Sequence, residues 1–219
     1  MQNATLSNAT LGRLPLYLQY VRTVQTEMIS ATSVARNLGL GEVQVRKDLG
    51  MISHVGQPKV GYPVRKLQRD LEKALGIHQK ISAVIVGAGK LGTALMDYDG
   101  FQEYGLKIAA AFDNHPSETP FKHGELSIYS MSSLQSFCLD HGVRLGILTV
   151  PASAAQNAAD QMVNSGITAI LNFAPCHIRV PSHVTVQQMN VALALAHLNM
   201  MVQNGRKEQE GIHYGKQIV

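Results

Sequence analysis

Apolar positions along the chain follow two patterns, and the change between them falls near residue 81. Leu14, Tyr17, Leu18 and Val21 recur at i, i+3, i+4 and i+7, which predicts a helix over Arg13–Arg22 with Pro15 in its first turn. A second helix is expected at about Ala31–Leu38, capped by Ser30 or Thr32. Gly39-Leu40-Gly41 then makes the tight turn between paired helices, and a third helix starts near Glu42 with Val45, Leu49 and Ile52 facing inward. Gly56–Val64 reads as a wing of turn residues around a short β-like segment. Val64–Leu75 is a further helix, with Leu67, Leu71 and Leu75 on one face and Gly76 as its stop, and reads as a linker between domains.

Beyond residue 80 the pattern becomes short, nearly continuous apolar runs. Ile81–Val86 has the character of a parallel strand buried on both faces. Leu106–Phe112 is a second such strand, and two later strands run into Thr149-Val150-Pro151 and Asn172-Phe173-Ala174-Pro175. Val186–Val202 is apolar almost all round and must be buried all round. Insertion into a partner subunit is the natural reading, with packing inside its own domain as the alternative. These patterns divide the chain into a basic helical module (1–80), a nucleotide-fold domain (81–185), a dimerisation helix (186–204) and a loose polar tail (205–219).

Composition narrows the class. The 219 residues are 45% hydrophobic with a mean hydropathy of +0.00, as in ordinary globular proteins. No apolar run is long enough to span a membrane, and the first residues lack the pattern of a secretory leader, so a cytoplasmic protein is expected. Cys138 and Cys176 share no metal-ligand spacing; small partly buried thiols are expected rather than a redox pair, and no metal is expected. Residues 1–80 hold 11 Lys/Arg against 5 Asp/Glu, a net +6, whereas the remainder hold 8 against 10, a net −2. Such asymmetry points to a polyanionic partner for the front module alone.

The candidate chemistry fits that division. Gln44, Arg46 and Lys47 face outward near the start of the third helix, where amide and guanidinium groups can meet base edges and cations can meet phosphates. Lys59 in the wing would reach a backbone phosphate. A plain protein-interaction module remains the alternative. In the second domain, the strand ending at Val86 runs into Gly87-Ala88-Gly89-Lys90-Leu91-Gly92, and Asp113 follows 21 residues after the last glycine. This is the spacing of a dinucleotide-binding βαβ unit, with the pyrophosphate at a helix N-terminus and the acid on the ribose hydroxyls. The carboxylate, with Asn114 and His115 rather than Arg after it, favours NAD(H) over NADP(H). Lys90 either touches phosphate or is simply solvated. Thr149, Val150 and Pro151, with Asn172, Phe173 and Ala174, lie at strand ends where an open α/β sheet binds its ligand, or form ordinary loops. A coenzyme A ester, or no ligand, is the alternative for this fold. No general acid/base is placed for hydride transfer, so a sensor is expected rather than a catalyst; a small NAD-dependent oxidoreductase with an assembly module is the rival.

The chain resembles the bacterial Rex family of redox-sensing repressors along nearly its whole length. The matching segments are Arg13-Leu-Pro-Leu-Tyr17, Gln44-Val-Arg-Lys-Asp-Leu49, Val60-Gly-Tyr62, Gly87–Gly92, Ala111-Phe-Asp113, Ile147–Ala152 and Leu171–Pro175. The resemblance implies an α/β fold: an N-terminal winged helix-turn-helix domain, then a Rossmann-type parallel sheet with a C-terminal helix swapped between subunits. It implies a homodimer on a pseudo-palindromic operator, with Tyr62 among the DNA-side residues, and release from DNA when NADH binds as effector. It also implies a relay through Arg13, a cofactor-side Tyr98 and an Asp. Here Asn190 stands at the Asp position, and an amide can bond Arg13 or Tyr98 but cannot form the ion pair. Other departures are Gly50-Met-Ile-Ser53 and the wing tip, which reads Gln57-Pro58-Lys59 in place of Lys-Arg-Gly.

Overall fold

A computed structural model describes residues 6–115 and 122–215. The chain divides into two compact units, one of residues up to Lys80 with Gln102–Gly105, the other of Ile81–Phe101 with the residues from Leu106 onward.

The first unit is built on four helices: α1 (Asn8–Thr23), α2 (Ala31–Leu38), α3 (Glu42–Ile52) and α4 (Val64–Ala74). Helix α1 starts five residues earlier than the apolar spacing predicts, because Ser7 caps it by accepting from the Thr10 amide at 3.1 Å. Pro15 consequently lies inside the helix and not in its first turn. Ser30, and not Thr32, caps α2, accepting from Ser33 N–H at 3.0 Å. Leu14, Tyr17 and Leu18 from α1, Val34 from α2, Leu49 from α3, and Leu67 and Leu71 from α4 are fully buried together. Helix α4 is therefore a core element of this unit and not a bare linker. Two short strands, β1 (Met28–Ile29) and β2 (Tyr62–Pro63), pair antiparallel and tie the wing to the start of α2.

The second unit is a seven-stranded sheet. Its strands are β3 (Ile81–Val86), β4 (Leu106–Asp113), β5 (Lys122–His123), β6 (Leu126–Ser130), β7 (Leu145–Leu148), β8 (Ala169–Asn172) and β9 (Thr185–Gln188). The order is β5-β6-β4-β3-β7-β8-β9, all parallel except β5. Six parallel strands thus follow the doubly wound dinucleotide-binding order, and the direction of winding reverses between β3 and β7.

Alternation along β3 sorts the core. Val84 and Val86 pack with Phe112, Leu134, Leu148 and Met162 under helices α6 (Leu134–His141) and α7 (Ala152–Asn164). Ala83 and Ile85 face the other way with Ile108, Ile128 and Ile147, where helix α5 (Lys90–Met96) contributes Met96. Part of that face is open as an apolar groove of about 240 Å³ lined by Ala83, Phe101, Ile108, Leu145, Ile147 and Leu171.

The last helix, α8, spans Val191–Gly215. It begins later than the expected Val186 because residues 185–188 pair with β8 as an edge strand. It also continues past Gly205, where a loose tail is expected; residues 216–219 of that tail lie outside the described residues. Its side chains from Val191 to Gln203 are exposed, with Leu193 at 67% and Leu198 at 55%, so packing inside its own domain is not what is observed. Cys138 is buried, which pushes its thiol pKa up, and Cys176 is half-buried; both are free thiols. No helix among the described residues is long and apolar enough to cross a membrane.

Candidate dinucleotide pocket and nucleic-acid interface

The glycine turn is held by backbone and by two side chains. Gly87 has φ +103°, a conformation L side chains rarely adopt, and its N–H donates to Phe112 O at 2.8 Å. Thr149 Oγ1, at the end of β7, donates to Gly87 O at 2.6 Å. Asp113, at the end of β4, accepts from Ala88 N–H through Oδ2 at 2.8 Å and from His115 N–H through Oδ1 at 2.9 Å. A Cβ on Gly92 would stand 1.9 Å from Gly87 O, so only glycine allows α5 to start this close to the turn. Nothing lies within 4 Å of a Cβ built on Gly89, whose backbone faces open space at the helix N-terminus.

Next to this turn is a pocket of about 290 Å³. Of the residues proposed from the sequence as cofactor-binding, Gly87, Gly89, Asp113, Asn114, Thr149, Val150 and Pro151 line it. Val86, Phe112, His115, Met131, Ala154 and Ala158 complete it. Of these, Met131 and the α7 alanines carry no motif signal and were not among the expected residues; only the fold places them here. The pocket sits at the carboxyl ends of β3, β4 and β7, where the winding reverses. Its volume is at the lower end for small-molecule sites, suited to one half of a dinucleotide. Acceptor oxygens at Asp113 beside apolar walls fit an adenosine, and the free amides at the start of α5 fit the adjoining phosphate.

Several expected site residues do other work. Asn172 is 0% exposed and its amide is fully engaged: Nδ2 donates to Cys176 O at 2.9 Å and Gln188 Oε1 at 2.7 Å, while Oδ1 accepts from Ala174 N–H at 2.9 Å. It builds the turn after β8 and is not free for a ligand. Ala88 and Ala174 are buried, Phe173 packs on the sheet face of Ala83 and Ile85, and Lys90 and Leu91 are exposed outside the pocket. Tyr98 is 59% exposed and packs edge-on against Phe101 at 5.1 Å between centroids, also outside the pocket. Asn190 caps α8, its Oδ1 accepting from Leu193 N–H at 2.9 Å.

In the first unit, Gln44, Arg46 and Lys47 are exposed on α3, with Val43 beside them 80% exposed. Arg46 pairs with Glu42 one turn earlier. Lys59 stands at the wing tip with φ +64°, a left-handed conformation unusual for a non-glycine residue, where Gln57 and Gly61 bridge below it. Tyr62 is only 8% exposed and lies under Gly56, so it supports the wing more than it projects from it. A cleft of about 600 Å³ runs between the start of α2, Arg46 and the wing.

The inner face of α3 carries a group that periodicity did not reveal. Asp48 is buried among the apolar positions and accepts from Arg13 Nε at 2.8 Å and Nη2 at 3.1 Å, Tyr17 Oη at 2.8 Å and Thr10 Oγ1 at 3.2 Å. Burial alone would raise its pKa; the bonds from Arg13 and Tyr17 outweigh that and hold the carboxylate below its ordinary value. Burial, reinforced by Asp48, pushes the Tyr17 hydroxyl up to about 12. A guanidinium offers only donors, so the Gln44 amide turns its oxygen to Arg13, accepting from Nη1 at 2.9 Å and Nη2 at 3.1 Å. Arg13 therefore joins α1 to both the buried and the exposed face of α3.

Comparison with known proteins accords with this division. Residues 5–50 match the family described as "Putative DNA-binding protein N-terminus" and residues 78–176 the one described as "CoA binding domain". A "Redox-sensing transcriptional repressor Rex" of Treponema denticola is 42% identical, covering 88% of this chain and 93% of its own. One of Porphyromonas gingivalis is 40% identical, covering 85% and 87%. Among solved structures, RSP in complex with β-NAD+ and operator DNA aligns with a TM-score of 0.84 at 29% identity, over 95% of this chain and 98% of that one. RSP in complex with β-NADH aligns at 0.83 and 28% identity, over 94% and 99%.

Proposed function

This chain belongs to the Rex family of redox-sensing transcriptional repressors, and from that premise we propose how its own residues carry the function. It is a DNA-binding repressor whose effector ligand is NAD(H). The observation that carries the assignment is the pocket at the β3–β7 reversal, with Asp113 beside an open helix N-terminus, in a chain whose front module exposes Gln44, Arg46 and Lys47.

In this reading Gln44, Arg46 and Lys47 enter the major groove, with Val43 placed to meet a thymine methyl, and Lys59 contacts a phosphate from the wing. Asp113 takes the ribose hydroxyls, Gly87 and Gly89 let the phosphate approach, Thr149 fixes the glycine turn from the pocket wall, and Asn172 positions the loop after β8. Two copies act together: the exposed apolar side chains of α8 and the open groove on the sheet are the complementary surfaces that a second copy would cover. NADH favours a dimer shape that fits the operator poorly, and Arg13, Tyr98 and Asn190 transmit the change. The protein works in the cytoplasm without catalytic turnover. An oxidoreductase, or a regulator of another nucleotide, is not favoured beside relatives solved with NAD+ and NADH.

The test is operator-fragment binding at one salt concentration, titrated separately with NADH and NAD+. NADH is expected to release the DNA and NAD+ is not. Asp113→Ala is expected to abolish release while sparing DNA binding, and Asp113→Asn, which keeps an acceptor for Ala88 N–H, to weaken it. Normal release from Asp113→Ala would remove the site assignment.

A further inference from the structure

Glutamine in a recognition helix has an ambiguous hydrogen-bonding sense. Its amide carries an acceptor and two donors, and it ordinarily reads adenine by using one of each, at N6 and N7. In this chain the ambiguity is removed before DNA arrives. Because a guanidinium only donates, the Gln44 amide turns its Oε1 to Arg13, 2.9 Å from Nη1 and 3.1 Å from Nη2. Arg13 in turn is locked by Asp48, a buried carboxylate that also takes the Tyr17 and Thr10 hydroxyls. The chain of bonds runs from the core of the first unit to its exposed surface without a break.

We propose that Asp48 and Arg13 fix Gln44 as a donor-only reader. At the operator its NH₂ meets an acceptor, guanine O6 or N7, thymine O4 or adenine N7 alone, and does not take the acceptor–donor pair of adenine, so the 6-amino group goes unread. Lys47 and Arg46 beside it are donors too, Arg46 being also paired with Glu42 in the first turn. The inference rests on α3 facing DNA, and it adds a specificity element to that reading. It also gives Arg13 a second consequence: any state of the protein that draws Arg13 away frees the Gln44 oxygen and changes what the helix reads.

The experiment is selection of binding sites from random duplexes by the full chain at fixed salt, for wild type, Gln44→Glu and Arg13→Lys. The selected wild-type site is then scanned with 7-deaza purines and with adenines lacking the 6-amino group. Gln44→Glu still accepts from Arg13 but has no donor, so it is expected to lose about tenfold on the wild-type site and, at one base position, the preference for an acceptor base. At that position wild type is expected to select an acceptor base and to ignore the 6-amino group. Arg13→Lys keeps a cation for Asp48 but not the fork, and should shift the preference there toward adenine.

Wild type selecting adenine at the Gln44-dependent position, with affinity lost when its 6-amino group is removed, would overturn the proposal, and this scan needs no variant to fold. A Gln44-dependent position left unchanged in a folded Arg13→Lys would also overturn it while sparing the placement of Gln44 at DNA. If no position depends on Gln44, that placement falls as well, but operator binding stands. A wild-type chain that selects no sequence at all would instead overturn the DNA-binding reading itself.

Discussion

Gly89 and Gly92 lie three residues apart in the same turn, and the structure separates what each does. Replacing Gly92 by Ala would put a Cβ 1.9 Å from Gly87 O and 3.0 Å from Gly87 C, both backbone atoms. A carbon–oxygen contact of about 3.3 Å requires the turn to open by more than about 1 Å. Strain of this kind costs about 1–3 kcal/mol, a fall of about 3–10 °C in melting temperature for a domain of this size. Gly89→Ala meets nothing within 4 Å, and φ −72° suits alanine. Alanine is a poorer N-cap than glycine, but it also restricts the unfolded chain, and the two effects nearly offset, to within about 1 kcal/mol. Its methyl group nevertheless stands where the phosphate must approach the amides. Losing one charge-assisted bond there is worth about 1.5–3 kcal/mol, or about 10- to 150-fold in NADH affinity. The assay pairs thermal melting with calorimetric NADH titration, using effector-free operator binding as the check on the first unit. Gly89→Ala should melt like wild type and bind NADH poorly; Gly92→Ala should fail on both counts. Wild-type NADH affinity in Gly89→Ala would refute the route of the phosphate, and an unchanged melt for Gly92→Ala would refute the close approach.

Two further outcomes follow from groups outside that turn. The Tyr17 hydroxyl is raised from 10.0 to about 12, so its contribution to folding is fully present below pH 10 and is lost as pH rises through 12, by on the order of 2–3 kcal/mol. Denaturant titrations of wild type and Tyr17→Phe between pH 9 and pH 12 should differ in slope over that window, and equal slopes would refute the Asp48–Tyr17 account. Leu195→Asp on α8 removes little packing within the chain, because this side chain is 62% exposed. It should nonetheless convert a dimer to a monomer in sedimentation and weaken operator binding by more than tenfold; a dimer that survives it would remove α8 from the interface.

What could be read from the chain depended on how local each constraint is. The run from Ile81 to Asp113 was legible because strand, turn and acid constrain one another within a single βαβ unit. Asp48 was not: it stands at an inward position of a helix otherwise read by its apolar stripe, and its partner Arg13 lies 35 residues away. Only the shared burial of Thr10, Tyr17 and Asp48 identifies it. Thr149 and Asn172 were placed at the right strand ends, yet their side chains are turned to backbone carbonyls and amides, a choice no motif encodes. The strand at 185–188 was absorbed into the following apolar helix because no glycine or proline separates them. The available signal was Asn190, a residue type favoured at helix N-caps, which marks the start of α8.

The dinucleotide pocket has one consequence for how the protein reads redox state. NAD+ and NADH share the adenosine, for which we propose the pocket lined by Asp113 and Met131, and differ only in the nicotinamide ring. In the proposed placement, a pocket of about 290 Å³ around the shared half would meet both forms with the same lining residues. It supplies retention without information. Because Asp113 already grips the Ala88 amide, the turn is formed before either ligand arrives and spends none of its binding energy on distinguishing them. On this reading both forms would compete for the one site, and the switch would answer to their ratio rather than to the amount of either one.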